Sequence, residues 1–248
     1  VLLHLTPELV LSLRPDGAGR MLVVLVTLVW LLSGVYAGAY MKHQPAPRRF
    51  FGFVLAVYGV LVSLCFAGNL PTFYLFYEMM TLLTFPLVLH DRKRESVLAG
   101  LKYLFYSLCG AYCVLFGFFV LYAHSTTLDF TPGGVLDPEK LAGQESLLLL
   151  AAFLMLLGFG VKAGMFPLHG WLPAAHPVAP APASAVLSGI IVKIGVFGAF
   201  RVVFYLFGSE FLQNTWVQTT LLVLSLITVV MGSMLAFLER GFKRRLAY

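Results

Sequence analysis

Charged residues are scarce in this chain of 248 residues, where Asp, Glu, Lys and Arg together make up only 11%. Apolar residues make up 60%. Soluble domains average about 45–50% apolar and about 25% charged residues. The composition therefore excludes an ordinary soluble domain and predicts a polytopic membrane protein.

The sequence also has few residues that could hold a cofactor. Its three cysteines, Cys65, Cys109 and Cys113, all lie in apolar runs without a nearby acid or histidine, so we interpret them as packing residues rather than metal ligands. The chain has no phosphate-binding loop, no nucleophile beside a base and no histidine pair that would bind haem across two spans. We therefore predict no metal, no cofactor and no redox centre in this chain.

Long apolar runs are abundant. Seven of them approach the roughly 20 residues that a membrane-spanning helix needs, and these are 20–41, 50–68, 71–89, 98–123, 146–166 with an irregular extension to about 177, 184–207 and 215–238. They predict an all-α bundle of about seven spans, one of them broken, over residues 20–248. Residues 1–19 are too short and interrupted to span, which predicts an interfacial or connecting segment. The chain opens on Val1 without a charged-then-apolar leader, as an internal piece of a longer protein would.

Lysine and arginine are distributed unevenly over the connecting segments. If the seven spans alternate in direction, eleven of these residues fall on one side and three on the other. The positive-inside rule then makes loops 42–49 and 90–97 and the C-terminal end cytoplasmic, and loop 124–145 extracytoplasmic. This pattern also accounts for the net charge of +6 without a nucleic acid partner.

The fifth predicted span is irregular. A straight helix over 146–177 would be about 48 Å long, compared with about 30 Å for the hydrocarbon core. Pro167 and Pro173, with Gly164 and Gly170 beside them, predict a break instead. Such breaks are tolerated at membrane depth where the freed backbone groups face protein or a water-filled cavity, as in the ion sites of transporters.

Three charged residues lie deep in apolar runs: Glu78, Lys162 and Lys193. Each costs roughly 2.5–3.5 kcal/mol to place at the centre of a membrane helix, so such residues usually carry ions or protons. A structural ion pair is the alternative for Glu78, and extension of the side chain to the interface is the alternative for Lys162. One acid cannot pair with two lysines, which leaves one lysine that must be hydrated or neutral and favours a proton path.

Arg201 and two histidines complete the set of candidates. Arg201 lies towards the outer end of its span, where we expect it to anchor the helix or extend to the interface. His169 and His176 flank the predicted break, where they either relay protons or hydrogen-bond the opened backbone.

Three motifs resemble one known family. FYLFYEMMTLLTFPLV, GLKYLFYSLCGA and GFGVKAGMFPLHGWLPAAHPVAPAPASAVLSGIIVKIGVFGAFRV are similar, in this order, to the proton-pumping antiporter-like subunits. That family includes the large membrane subunits of respiratory complex I, subunits of multisubunit Na⁺/H⁺ antiporters and membrane subunits of formate hydrogenlyase and related hydrogenases. The resemblance covers nearly the whole chain and implies a fragment from roughly the third to the ninth helix, with the first inverted repeat and almost none of the second.

The resemblance also implies roles for individual residues. Glu78 and Lys162 match the family's glutamate and broken-helix lysine, which form an ion pair. Lys193 matches the lysine of the central hydrophilic axis, and His169 and His176 fall on the family's positions in the LHxWLPxAH stretch. A lysine at the cytoplasmic end of the sixth helix corresponds to Lys102.

These observations predict a proton-translocating subunit of the inner membrane, in the lipid bilayer and in contact with other membrane subunits of a complex I-like, hydrogenase-like or Mrp-like complex. Two alternatives stay open. One is a Na⁺/H⁺ antiporter subunit, although the sequence lacks an Asp-rich oxygen site that would favour sodium. The other is a membrane scaffold that docks redox subunits and conducts nothing.

Overall fold

A computed structural model describes residues 3–4, 9–141 and 143–248 of the chain. Two short antiparallel strands, β1 and β2, precede a bundle of helices. The elements are β1 Leu3–His4, β2 Val10–Leu11, α1 Gly17–Tyr40, α2 Pro47–Cys65, α3 Leu70–Val88, α4 Arg94–His124, α5 Pro138–Leu141, α6 Glu145–Ala163, α7 Leu172–Val178, α8 Ala181–Val186, α9 Val192–Arg201, α10 Ser209–Leu212, α11 Trp216–Leu238 and α12 Phe242–Ala247. The predicted all-α class is confirmed.

Six helical stretches in the described residues are long and apolar enough to cross a membrane. They are 17–43, 47–65, 94–124, 145–163, 181–206 and 216–238. The remaining predicted span forms α3, which has 19 residues and therefore the expected length, but its Tyr, Thr, Pro and Glu residues make it less apolar. The chain is a multi-pass membrane protein.

Side chains at the helix ends explain several of the observed boundaries. Asp16 caps α1 by accepting from the Gly19 N–H at 2.8 Å, so this helix begins three residues before the predicted span. Asn69 caps α3 in the same way through the Thr72 N–H at 3.1 Å. Short polar side chains with one oxygen near the first turn are the usual N-caps.

The segment before α1 packs on the turn between α2 and α3. Leu13 bridges to Ala67, and the Gly68 N–H donates to the Ser12 carbonyl at 2.9 Å. An interfacial position for the predicted segment 1–19 stays a prediction, and residues 1–2 and 5–8 of it lie outside the described part.

The loops gather at two opposite ends of the bundle. At one end, the turn that precedes α3 binds the loop after α4, where the Leu70 N–H donates to the Leu128 carbonyl at 3.0 Å. At the other end, His90 and Pro45 are joined through the His90 ring nitrogen and the Pro45 carbonyl at 2.8 Å. The predicted loops 42–49 and 90–97 therefore share an end, as alternating spans require.

Glycine brings the central helices close together. A Cβ on Gly110 of α4 would lie 2.8 Å from the Gly158 carbonyl oxygen of α6, and a Cβ on Gly195 of α9 would lie 2.6 Å from the Phe159 carbonyl oxygen. Small residues at these positions let helix backbones approach closely. α6 is therefore held between α4 and α9, and its last turn lies in the centre of the bundle.

The cysteines differ in environment. Cys65 is buried as predicted, but Cys109 is exposed and Cys113 is intermediate. The predicted packing role of Cys109 is therefore not met within the described residues.

Candidate functional site

Lys162 lies in the last turn of α6 and is completely buried. Its Nζ donates to three hydroxyl oxygens, those of Thr81 at 3.0 Å, Tyr103 at 2.7 Å and Ser107 at 3.3 Å. All three partners are buried as well. Because an ammonium has three N–H donors, this hydroxyl cage of Thr81, Tyr103 and Ser107 satisfies each of them.

Aromatic rings complete the surroundings of the Lys162 ammonium. Its Nζ lies 4.5 Å from the centre of the Tyr103 ring and 5.9 Å from the centres of the Tyr77 and Trp171 rings. Ring faces attract cations electrostatically, and more strongly where water is excluded. The predicted burial of Lys162 is confirmed, and the alternative that it extends to the interface is excluded.

Glu78 does not form the expected ion pair with Lys162. Within the described ranges, the pairs with nitrogen and oxygen within 4.0 Å are Lys140–Asp137 and Arg201–Asp16. Glu78 is half-buried, and its Oε1 is buried without a hydrogen-bond partner. The contact pair is absent because Lys162 uses its donors on the cage, although the two charges still interact electrostatically.

The predicted break in the fifth span is confirmed. α6 ends at Gly164, which has a left-handed φ of 83°, and regular helix resumes only with α7. The freed groups find partners: the Met165 N–H donates to the Gly160 carbonyl at 2.8 Å, and Trp171 Nε1 donates to the Val161 carbonyl at 2.9 Å. The Phe166 N–H, which precedes a cis bond to Pro167, donates to Thr228 Oγ1 of α11 at 3.0 Å.

The two histidines at the break have incomplete hydrogen bonding. His176 is buried, and its Nδ1 pairs with the Ser184 hydroxyl at 2.8 Å while its Nε2 has no partner. His169 is half-buried against the Phe166 ring at 5.2 Å between centroids, and its Nδ1 has no partner. Within the described residues, neither ring hydrogen-bonds the opened backbone. The prediction that these histidines do so, which was the alternative to proton relay, is therefore not met.

Lys193 is exposed on its helix, unlike the buried Lys162, and its depth in the membrane stays a prediction. It follows a π-helical turn, Leu187–Ile191, and its Nζ donates to the Ser188 carbonyl of that turn at 2.6 Å. π-turns inside α-helices frequently occur at functional sites. The sequence indicates the position of Lys193 along its helix, but it does not indicate the face of the helix on which Lys193 lies.

One cavity brings three of the predicted residues together. It has a volume of about 250 Å³ and is lined by His169, His176 and Lys193, and also by Ala163 and Gly164. Because the last two residues directly follow Lys162, the cavity begins beside the turn that carries this lysine. Its lining includes basic side chains and hydroxyls but no carboxylate side chain.

Lys102 does not line this cavity, although its Nζ lies 3.7 Å from the position of a Cβ on Gly170, next to His169. It is exposed on α4 and lines a groove with Ala174 and Arg244. The neighbouring position on the same helix, Tyr103, carries the group that contacts Lys162.

Arg201 is buried, so it does not extend to the interface, and the end of its helix is joined to Asp16 instead. Its Nη2 donates to Asp16 Oδ1 at 2.9 Å, and its guanidinium carbon lies 4.5 Å from the centre of the Tyr205 ring. Burial acts to raise the pKa of Asp16, but the hydrogen bonds and charge of Arg201 and the Gly19 N–H outweigh it and leave this pKa below its ordinary value. The partner of Arg201 comes from the segment before α1, where the sequence contains no functional signal.

Sequence reasoning also missed the cage hydroxyls. Tyr103 and Ser107 are four positions apart and therefore share one face of α4, and Thr81 interrupts the apolar run of α3. The available signal was the presence of hydroxyl residues on the inner faces of two apolar helices. These residues indicate a lysine site only when the packing of α6 against both helices is known.

The helical bundle, the broken span and the buried lysine define a multi-pass membrane protein with charged groups held inside. Residues 67–248 match the family model described as NADH:quinone oxidoreductase/Mrp antiporter, TM, and the chain belongs to this family. The predicted resemblance is thereby confirmed.

Individual relatives agree with this assignment. Hydrogenase-4 component B of Escherichia coli is 33% identical over 240 residues, covering 96% of this chain and 35% of the relative. NADH-quinone oxidoreductase subunit N of Desulforudis audaxviator is 31% identical over 233 residues, covering 92% of this chain and 45% of the relative. The chain thus spans less than half the length of these curated relatives.

Two solved structures share the fold. A chain of the membrane-bound sulfane sulfur reductase, an archaeal respiratory membrane complex, superposes with a TM-score of 0.80 at 19% identity, over 99% of this chain and 49% of the other. A chain of the Mrp complex from Dietzia sp. superposes with a TM-score of 0.77 at 24% identity, over 98% of this chain and 44% of the other.

Proposed function

We propose that this chain forms the part of a membrane subunit that translocates protons through buried ionisable residues. The observation that carries the proposal is the completely buried Lys162, held by hydroxyl and aromatic groups at the broken end of α6. Burying an ammonium is costly, and in membrane helices such groups are usually functional. A role in proton transfer accounts for this cost.

The other residues extend the path on both sides of Lys162. Glu78 supplies an acid on α3 whose Oε1 is buried without a hydrogen-bond partner, and a small movement or a water would connect it to the lysine. On the other side, Lys193, His169 and His176 share a cavity in which hydrated groups can pass protons. Lys102 is a further candidate, at the groove near α7.

The proposed setting is a multisubunit complex in the inner membrane. The relatives and solved structures named above are components of hydrogenase, quinone oxidoreductase, respiratory and Mrp complexes, which supports other membrane subunits as partners. The eleven-to-three distribution of lysine and arginine supports a cytoplasmic location of loops 42–49 and 90–97 and of the C-terminal end.

Proton uptake by vesicles that contain the full-length subunit in its complex tests the proposal. We expect Glu78→Gln and Lys162→Ala each to lower the uptake rate at least about tenfold, in line with the loss of one proton-transfer group. The double variant should be no slower than the slower single variant, since both residues act on one path. Lys193→Ala should lower uptake at the cavity step, and the exposed Lys140→Gln serves as the control.

The two alternatives have distinct outcomes in the same vesicles. Uptake that requires sodium on the opposite side, and disappears when choline replaces sodium, would identify a Na⁺/H⁺ antiporter subunit. Wild-type uptake in both Glu78→Gln and Lys162→Ala, at equal incorporation into the complex, would contradict the proposal and favour the scaffold.

A further inference from the structure

The hydroxyl hydrogens of the cage around Lys162 have unequal freedom. The Thr81 hydroxyl donates to the Tyr77 carbonyl at 3.2 Å. The Tyr103 hydroxyl is 2.6 Å from the Thr84 hydroxyl, which itself donates to the Met80 carbonyl at 2.8 Å. Since each hydroxyl has one hydrogen, Tyr103 must donate to Thr84 in this arrangement. The hydrogens of Thr81 and Tyr103 are therefore already committed.

Ser107 differs from the other two members. It is buried, and among the residues that the structure describes its hydroxyl makes one hydrogen bond, accepted from Lys162 Nζ at 3.3 Å. Its own hydrogen has no competing acceptor. The Ser107 hydroxyl can therefore rotate towards Lys162 without breaking another bond.

Loss of a proton changes what the lysine requires. An ammonium offers three N–H donors, whereas a neutral amine offers two and adds a lone pair that accepts. One of the three hydroxyls must then turn from acceptor to donor. Reversal at Thr81 breaks its bond to the Tyr77 carbonyl, reversal at Tyr103 breaks its bond to the Thr84 hydroxyl, and reversal at Ser107 breaks none.

We infer that Ser107 is the positioning residue that adapts the cage to the protonation state of Lys162. Its hydroxyl accepts from the ammonium, then rotates and donates to the amine after the proton has left. Ser107 itself neither gains nor loses a proton. The inference rests on the proposed function, because it matters only if Lys162 changes its protonation state during turnover.

The remaining groups around Lys162 do not substitute for this hydroxyl. The titratable groups that face the ammonium are Glu78 and Tyr77 of α3 and Tyr103 of α4. From the break, Trp171 contributes its ring, and its Nε1 is bound to the Val161 carbonyl. α9 contributes Gly195, which has no side chain, next to the Lys162 backbone.

The test is the pH profile of proton uptake by vesicles containing the full-length subunit in its complex. In Ser107→Ala the ammonium loses a charge-assisted bond and the amine loses a neutral one, which is about half as strong. We therefore expect the pH of half-maximal uptake to move down by about half a unit or more, together with a lower maximal rate. Ser107→Cys, which keeps the shape of serine but has a weak donor, should shift the pH of half-maximal uptake in the same direction. Ser107→Thr, which keeps the hydroxyl, should retain the wild-type profile.

Two comparisons separate this inference from the proposed function. Ser96→Ala, at a buried serine about three turns earlier on α4, should leave the profile unchanged. A wild-type profile in Ser107→Ala alongside blocked uptake in Lys162→Ala would overturn the role of Ser107 and leave the proposed function intact. A uniform loss of rate without a shift, which Ser107→Thr does not restore, would also overturn it. Wild-type uptake in Lys162→Ala would instead contradict the proposed function itself.

Discussion

Asp16 and Arg201 are 185 positions apart in the chain, yet their side chains form a two-point ion pair at one end of the bundle. Arg201 is buried and Asp16 is partly exposed, with relative side-chain exposures of 2% and 29%. The Arg201 guanidinium also lies over the Phe130, Phe197 and Tyr205 rings. The pair therefore joins the start of α1, the loop after α4 and the end of α9.

Asp16→Asn should destabilise the fold. The substitution leaves the buried Arg201 without a negative partner, and breaking a buried pair in this way costs up to about 3–5 kcal/mol, less where one partner reaches water. We expect a loss of about 2 kcal/mol, measured as a lower unfolding temperature of the purified protein in detergent. Lys140→Gln, which breaks a surface pair with Asp137, is the control and should change stability by less than about 1 kcal/mol. Equal changes in the two variants would contradict a special role for the buried pair.

The same pair predicts an acid-dependent loss of stability. The pKa of Asp16 in the folded protein lies below its ordinary value of 3.8, so its contribution is present above that value and is lost as the pH falls through the folded pKa. Unfolding temperatures measured from about pH 6 to about pH 3 should fall more steeply at the acid end in the wild type than in Asp16→Asn. Parallel curves would show that Asp16 does not contribute to the acid transition.

The contact between α4 and α6 should not tolerate a side chain. An added Cβ at Gly158 would collide with the Gly110 carbonyl oxygen, which is backbone and cannot move alone. Gly158→Ala should therefore separate the two helices, lower the yield of folded protein and disturb Lys162, which lies one turn further along. Gly38 of α1 has no atoms within 4 Å of an added Cβ, so Gly38→Ala should be neutral or stabilise slightly, by up to about 1 kcal/mol. Size-exclusion profiles and unfolding temperatures of the two variants give the comparison.

Cysteine labelling tests the orientation in the membrane. Gln144 and Glu95 are both exposed, and they lie in the predicted extracytoplasmic loop 124–145 and the predicted cytoplasmic loop 90–97, respectively. In a background without the native cysteines, an impermeant maleimide added from the periplasmic side should label Gln144→Cys and not Glu95→Cys. The reverse pattern would invert the orientation predicted from lysine and arginine. Ser96 is unsuitable as a probe because it is buried.

The helices and the break were predictable because their causes are local. Apolar runs of sufficient length determine the spans, and Gly164 and Pro167 interrupt a run that is too long for one helix. The burial of Lys162 was predicted from the apolar residues on both sides of it, although the same pattern does not bury Lys193. These properties depend on sequence neighbours, which a single chain displays directly.

The contacts of the charged residues were not predictable, because they depend on how the helices rotate and pack. Lys193 has an apolar run on both sides, as Lys162 does, but its helix turns it towards a cavity. Arg201 finds its partner in a segment with no span signal. The family resemblance implied an ion pair between Glu78 and Lys162, whereas Lys162 satisfies its donors with hydroxyls from α3 and α4.

Thr228 links α11 to the break between α6 and α7 by a hydrogen bond. Its hydroxyl is the acceptor for the Phe166 amide in the break, and it also donates to the Leu224 carbonyl of its own helix at 2.7 Å. A turn of α11 about its axis by one residue, about 100°, would remove this acceptor and leave the Phe166 amide without its hydrogen bond. Any movement that keeps this hydrogen bond therefore moves α11 and the break together. If they move apart, a water molecule has to accept from the Phe166 amide in place of Thr228.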